Sequence, residues 1–197
     1  MSKRTTQQAI RALVVTGTIA LVLTPIQARA DGFITPWVGS AFGSGFSNGR
    51  TAIGVDAGAM GGGILGGELD FGYSPSFFGT KNDFGNNTII NLMGNLLLGV
   101  PIGGTHGSSV RPYVVGGIGL LRTQIDGGTI AKVSSSDNMF GWDAGAGVMA
   151  NFSEHVGLRL DVRYLRGTHE MNTGVSAIDL NGNRIHFWRP STGVVLR

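Results

Sequence analysis

The chain has 197 residues, enough for one domain, and it contains no cysteine, which excludes a disulfide framework and a lipid anchor carried on cysteine. Four of the 15 basic residues and none of the 12 acidic ones lie in residues 1–30, so the following 167 residues carry 11 basic and 12 acidic side chains. The basic excess of the whole chain therefore gives no indication of nucleic-acid binding. The 34 glycines argue against a helical bundle, because each glycine costs about 1 kcal/mol in a helix.

The first thirty residues have the pattern of a secretory signal peptide. Three basic residues precede the apolar stretch Ala12–Ile26, and Ala28-Arg29-Ala30 follows it with small residues at the spacing that signal peptidase recognises. The alternative, a membrane-anchoring helix, would need a longer apolar stretch. The sequence therefore predicts a signal peptide at 1–30, cleaved after Ala30, and one exported domain at 31–197.

The remaining chain contains eight runs of about ten residues in which apolar side chains recur at every second position, as in β-strands. Glycine, proline, asparagine or serine separates the runs, as expected for turns. The runs are Phe33–Phe42, Thr51–Met60, Ile64–Tyr73, Thr88–Val100, Val110–Gln124, Asn138–Asn151, His155–Leu165 and Arg184–Leu196.

Long and short connections alternate between these runs, which is typical of an up-and-down barrel in a membrane, with long loops outside and short turns in the periplasm. The longer predicted connections are Gly43–Arg50, Ser74–Asn87, Ile125–Asp137 and Arg166–Asn183. The shorter ones are Gly61–Gly63, Pro101–Ser109 and Phe152–Glu154.

The second, third, fourth, sixth and seventh runs each have one nearly apolar face, and their other faces mix charge with glycine. In a soluble barrel the apolar face would turn inward, whereas in a membrane barrel it contacts lipid. The length of the runs, the scarcity of lysine and the aromatic residues near the strand ends favour the membrane arrangement. The aromatic residues assigned to these membrane interfaces are Phe33, Trp37, Tyr73, Tyr113, Phe140, Trp142, Tyr164 and Trp188.

The polar face then lines the lumen, where isolated charges would be too costly to bury unpaired. Its acidic and basic side chains are similar in number, and an eight-stranded barrel has room inside only for its own side chains. We expect a filled lumen with a structural charge network; the alternative is an ion gate that rearranges to pass ions. The predicted network comprises Asp56, Glu68, Asp70, Arg111, Asp143, Arg159, Asp161, Arg163 and Arg189.

Two adjacent segments, Asn91–Pro101 and the Arg-Pro-Tyr-x-x-Gly-Gly-x-Gly run at Arg111–Gly119, resemble small bacterial outer-membrane β-barrel proteins such as the OmpA transmembrane domain and OmpX-like barrels. The resemblance covers residues 31–197 and implies an all-β fold, an eight-stranded antiparallel up-and-down transmembrane β-barrel. It also implies outer-membrane lipid and lipopolysaccharide as surroundings, insertion by the barrel-assembly machinery, and a monomer. One departure is Arg197, which stands where the family usually has a terminal aromatic residue.

No catalytic, cofactor or metal site is predicted. His169-Glu170-Met171-Asn172 is similar to the His-x-Ser-Asn motif of lipid A deacylase barrels, but methionine replaces the serine nucleophile. The glycine pattern at Gly61–Gly66 lacks the helix that a dinucleotide site requires and indicates a hairpin turn. Exposed aromatic residues in the outer loops, among them Phe77, Phe78 and Phe84, could bind a partner or pack on the barrel rim.

Three functions remain open on these grounds. The preferred one is a non-enzymatic outer-membrane barrel with a filled lumen, acting as a structural or surface-interaction protein through its outer loops. The second is a narrow gated pore or transporter. The third, less favoured, is a soluble periplasmic barrel that binds an apolar ligand, which requires the inverse assignment of the two faces.

Overall fold

The computed structural model describes residues 30–43, 46–76, 87–104, 107–125, 135–168 and 185–197. Consecutive strands pair antiparallel and the last pairs with the first, so the sheet closes into the predicted eight-stranded all-β barrel. No helix in this described part of the chain is long and apolar enough to cross a membrane. The strands are β1 (Ala30–Gly43), β2 (Phe46–Gly61), β3 (Leu65–Pro75), β4 (Asn87–Gly99), β5 (Ser109–Ile125), β6 (Ser135–Asn151), β7 (Val156–Gly167) and β8 (His186–Leu196).

The first hairpin differs from the sequence prediction. The polar segment Gly43–Arg50 was expected to be a long loop, but β2 already begins at Phe46, and Arg50 pairs with Ala41 of β1. That prediction is wrong because the segment's serine, asparagine and glycine residues suggest a turn, whereas the backbone continues its ladder through an irregularity between Ala41 and Gly43. Only residues 44 and 45 separate the two strands.

The turn between β2 and β3 is the tightest of the described connections. Gly62 and Gly63 both have positive φ, at 57° and 70°, and the Ile64 N–H donates to the Gly61 carbonyl oxygen at 3.1 Å. Positive φ at both central positions is the geometry of a type I′ turn, which suits glycine and matches the twist of a hairpin. The glycine pattern here is therefore a turn, as predicted.

Both ends of the described chain, Ala30 and Arg197, lie at the same end of the barrel as this turn, which we call the turn end. At the opposite end, the loop end, the stretches 44–45, 77–86, 126–134 and 169–184 join successive strands. Residues 1–29 of the predicted signal peptide, the motif at His169 and the predicted loop aromatic residues lie outside the described residues, while Ala30 is the first residue of β1.

Alternate side chains along each strand point into the lumen and away from the barrel. Outward positions carry large exposed apolar side chains, such as Leu96 and Ile118, while the guanidinium side chains of Arg159 and Arg163 are fully buried inside. An apolar exterior around a charged interior is the arrangement of a lipid-facing barrel. It excludes the alternative of a soluble barrel with an apolar ligand inside.

Three aromatic residues predicted for the membrane interfaces lie in the lumen instead. Phe33, Trp37 and Tyr113 are 4%, 7% and 4% exposed. Tyr113 is two positions from Arg111, so the period of two places both on the same face. The other five predicted interface aromatics face outward: Tyr73, Phe140, Trp142, Tyr164 and Trp188.

Candidate functional site in the lumen

The middle of the lumen holds an ionic layer contributed by five strands. In β7, the residues Arg159, Asp161 and Arg163 alternate with apolar ones, so all three point inward. The carboxylates opposite them come from neighbouring β2 and β3, where Asp56 is directly in register with Asp70. Glu68 of β3, Asp143 of β6 and Arg189 of β8 complete this layer, and each is buried.

Arg163 is the centre of the ionic layer. Its Nη2 lies 2.6 Å from Glu68 Oε1, its Nη1 lies 3.2 Å from Asp70 Oδ2, and its Nε lies 3.0 Å from Asp161 Oδ1. Asp143 Oδ2, 3.5 Å from Nη1, and Asp56 Oδ2, 3.8 Å from Nη2, are a fourth and a fifth carboxylate partner. The planar fork of arginine can serve several carboxylates at once, which an ammonium group cannot match.

Arg159 and Arg189 extend the layer on either side of Arg163. Arg159 Nη1 is 2.5 Å from Glu68 Oε2 and 3.1 Å from Asp56 Oδ2, so Glu68 bridges Arg159 and Arg163. Arg189 forms a short ion pair with Asp70 and donates to Asn91 Oδ1 at 3.1 Å. The three guanidinium groups are thereby linked through shared carboxylates into one network.

The layer contains five carboxylates and only three guanidinium groups. Neutral side chains donate further hydrogen bonds to the carboxylates. Trp37 Nε1 donates to Asp56 at 3.0 Å, and the Tyr113 hydroxyl donates to Asp161. With its amide turned to satisfy both polar atoms, Asn95 donates to Asp143 at 2.8 Å and accepts from Arg163 at 2.7 Å. Hydrogen bonds to the charged oxygens reduce the cost of burying them.

Sequence reasoning missed these neutral partners. The period of two could have placed Tyr113 in the lumen, because Arg111 on the same strand was assigned there. No such signal was available for Trp37, since β1 has no charged residue at its middle to mark the inward face. Trp37 also packs against Arg189, whose Cζ is 4.3 Å from the centre of the indole ring.

Arg111 is the one predicted network residue that stands apart. It is buried near the turn end, where its Nη2 is 3.9 Å from Asp31 and its Nη1 is 3.7 Å from the sulfur of Met60. Its Nε and Nη2 have no hydrogen-bond partner among the described residues. The structure thus joins eight of the nine predicted residues and separates Arg111 from them.

Two clusters of buried apolar side chains lie in the lumen, one on each side of the ionic layer. The cluster on the loop-end side contains Ala41, Ile89, Met93, Leu121, Met139, Leu165, Ile185 and Phe187. The cluster on the turn-end side contains Phe33, Met60, Leu97, Tyr113, Val115, Met149 and Val195. Ions crossing the barrel would have to pass through both clusters as well as the paired charges between them.

The carboxylates of the ionic layer are engaged with other side chains of the lumen. Within the described residues, no group of three or more histidine or carboxylate side chains could hold a metal ion. The carboxylates of the ionic layer are held by arginine, tyrosine, tryptophan and asparagine, and they are buried away from any substrate. Their chemistry is that of a packed core of charges.

Comparisons with known proteins agree with this architecture. Residues 18–187 match the family described as the outer membrane protein beta-barrel domain. The chain belongs to this family. Its fold is also similar to the crystal structure of Neisserial surface protein A, with a TM-score of 0.60 and 16% identity over 84% of this chain and 96% of that one.

A second similar structure is the N-terminal β-barrel domain of Pseudomonas aeruginosa OprF, with a TM-score of 0.55 and 14% identity over 85% of this chain and 98% of that domain. At such low identity these likenesses show the fold alone. No curated protein matches the sequence. The family and the apolar exterior together place the chain in the outer membrane as a β-barrel.

Proposed function

We propose that this protein is a non-enzymatic, non-conducting outer-membrane barrel that acts as a rigid scaffold and presents its loop-end segments for surface interactions. The observation that carries this proposal is the layered lumen, in which an ionic layer lies between two apolar clusters. An eight-stranded barrel has no spare interior volume once such side chains fill it. The strands of such a filled barrel then hold the first and last residues of each loop-end segment at fixed positions.

The gated-pore alternative finds less support. A gate would require the ionic layer to rearrange, yet Arg163 has five carboxylate partners and Glu68 is shared by two arginines. Removing one partner of a buried pair leaves an uncompensated charge, so partial rearrangement is costly. The apolar clusters would also have to open.

Conductance measurements test the closed lumen directly. We expect purified, folded protein in planar lipid bilayers to show no stable current steps, because both apolar clusters exclude hydrated ions. The folded state is checked by the migration of unboiled protein on a detergent gel. Stable steps that change in ion selectivity in an Asp143→Asn variant would contradict the proposal and support a pore.

Proteolysis of intact cells tests the presentation of the loop-end segments. After residue 30 the chain contains only two lysines, Lys81 and Lys132, and both fall between strands at the loop end. We expect a lysine-specific protease added to intact cells to cut there, because long connections of such barrels face outward. A variant with both lysines changed to glutamine is the matched control and should resist. Cleavage that occurs only after the cells are broken would contradict outward presentation.

A further inference from the structure

A groove of about 500 Å³ lies on the outer surface of β6, β7 and β8, towards the loop end. Ala144, Gly145 and Ala146 have little or no side chain, so the outer surface of the barrel is recessed along this part of β6. Aromatic rings flank the recessed surface. The Tyr164 ring centroid is 5.7 Å from that of Trp142 and 5.1 Å from that of Trp188.

The loop-end edge of this groove is cationic. Arg166 of β7 is in register with Trp142 on one side and with His186 on the other, and it lies two residues beyond Tyr164 on the same face. Two residues span about 7 Å along a strand, so Arg166 is directly next to the aromatic part of the groove. Arg122 of β5 also faces outward at this end and is exposed.

The acidic residues whose side chains the structure describes lie away from Arg122 and Arg166. The acidic residues of the ionic layer point into the lumen, and Asp31 and Glu154 lie at the turn end. The charge at the loop-end edge is therefore complementary to an anionic group located outside the barrel. Basic residues beside an apolar membrane surface are a typical arrangement for binding lipid phosphate groups.

A second external groove differs from the β6–β8 groove in its lining. This groove, of about 420 Å³, lies on β2, β3 and β4 and is lined by Ala57, Gly67, Leu69, Leu96 and other residues, none of them aromatic or basic. Small residues on the lipid face thus produce a groove there without rings or a cation. The β6–β8 groove therefore combines small residues, aromatic rings and a neighbouring base, whereas the lining of the second groove has only the small residues and aliphatic side chains.

We propose that the β6–β8 groove is a binding site for lipid A, the phosphorylated glycolipid of the outer leaflet. An acyl chain lies on Ala144 and Ala146 between the rings of Trp142, Tyr164 and Trp188, and a phosphate group contacts Arg166. Lipid A suits the site because it carries phosphate next to several saturated chains and occupies the leaflet at the loop end. The proposal relies on the outer-membrane location in the proposed function, and not on the closed lumen.

Native mass spectrometry of the delipidated, folded barrel in detergent tests this site. We expect the protein to retain one lipid A with a Kd at least ten-fold lower than for phosphatidylglycerol or phosphatidylethanolamine. Arg166→Gln should raise the Kd for lipid A about ten-fold, because it removes the charge and keeps a polar side chain. Ala146→Phe should do the same by filling the groove, and Ala57→Phe in the other groove is the matched control with no expected change.

Several results would overturn the proposal. Equal affinity for the three lipids, wild-type affinity in both groove variants, or an equal loss in the Ala57→Phe control would each do so. A dimer peak lost in Ala146→Phe would show that a second copy of the chain occupies the groove. A folded barrel that fails to bind lipid A and still shows no conductance would reject the site while leaving the proposed function intact.

Discussion

Replacing Arg163 with methionine is expected to destabilise the barrel severely or prevent it from folding. The substitution removes the shared partner of five carboxylates while leaving them buried, namely those of Asp56, Glu68, Asp70, Asp143 and Asp161. Breaking a buried pair from one side costs about 3–5 kcal/mol, and here several carboxylates lose their partner together. The free energy of unfolding by guanidinium chloride in lipid vesicles measures the effect.

Arg111→Met provides a matched control, since both arginines are fully buried in the same lumen. Arg111 has a 3.9 Å ion pair with Asp31 and a 3.7 Å contact with the sulfur of Met60, and two of its nitrogen atoms have no hydrogen-bond partner among the described residues. An apolar side chain of similar length should therefore change stability by less than about 1 kcal/mol. Equal losses in the two variants would show that the ionic layer is not what stabilises the lumen.

If Arg163→Met does not fold at all, a second substitution keeps the comparison informative. Adding Glu68→Gln removes one of the uncompensated charges, so the double variant should recover part of the folded fraction seen on an unboiled detergent gel. Arg159 would still be paired with Asp56 and Asp161 in that variant. No recovery would mean that the defect lies in packing and not in charge.

The strand count and most faces could be predicted because the period of two is explicit wherever charged residues alternate with apolar ones. The segment from Arg159 to Arg163 is the clearest case, with inward charges separated by Leu160 and Val162. The same rule fails for β1, where Phe33 and Trp37 alternate with Ile34 and Val38 and both faces are apolar. There, hydrophobicity alone cannot tell lumen from lipid.

The partners within the ionic layer could not be predicted from the sequence. Arg163 and Glu68 are separated by 95 residues and belong to strands that are not neighbours in the sheet. Their contact depends on how the barrel closes and on the stagger between its strands, which no local pattern specifies. The separation of Arg111 from the ionic layer has the same origin, because the register between strands determines the position of Arg111 along the barrel axis.

Gly116 and Gly117 of β5 give the most direct test of which face is crowded. Gly117 points into the lumen, where an added Cβ would collide with the Gly94 carbonyl oxygen and the Asn95 side chain and lie 2.8 Å from Asn95 Cα. The nearest atom to a Cβ at Gly116, on the lipid face, is a carbonyl oxygen of Asp143 at an ordinary 3.6 Å. The two neighbouring glycines therefore differ in the space around them.

Gly117→Val is expected to lower the free energy of unfolding by about 3 kcal/mol, because the collision involves backbone atoms and displaces Asn95 from Asp143 and Arg163. Gly116→Val should be neutral or stabilise by about 0.5–1 kcal/mol, since valine suits a strand and replaces a flexible residue. The same vesicle unfolding experiment compares them. If Gly116→Val destabilised the barrel as much as Gly117→Val, the two glycines would be explained by a general need for small residues in β5. Close packing of side chains around Gly117 inside the lumen would then not be the reason.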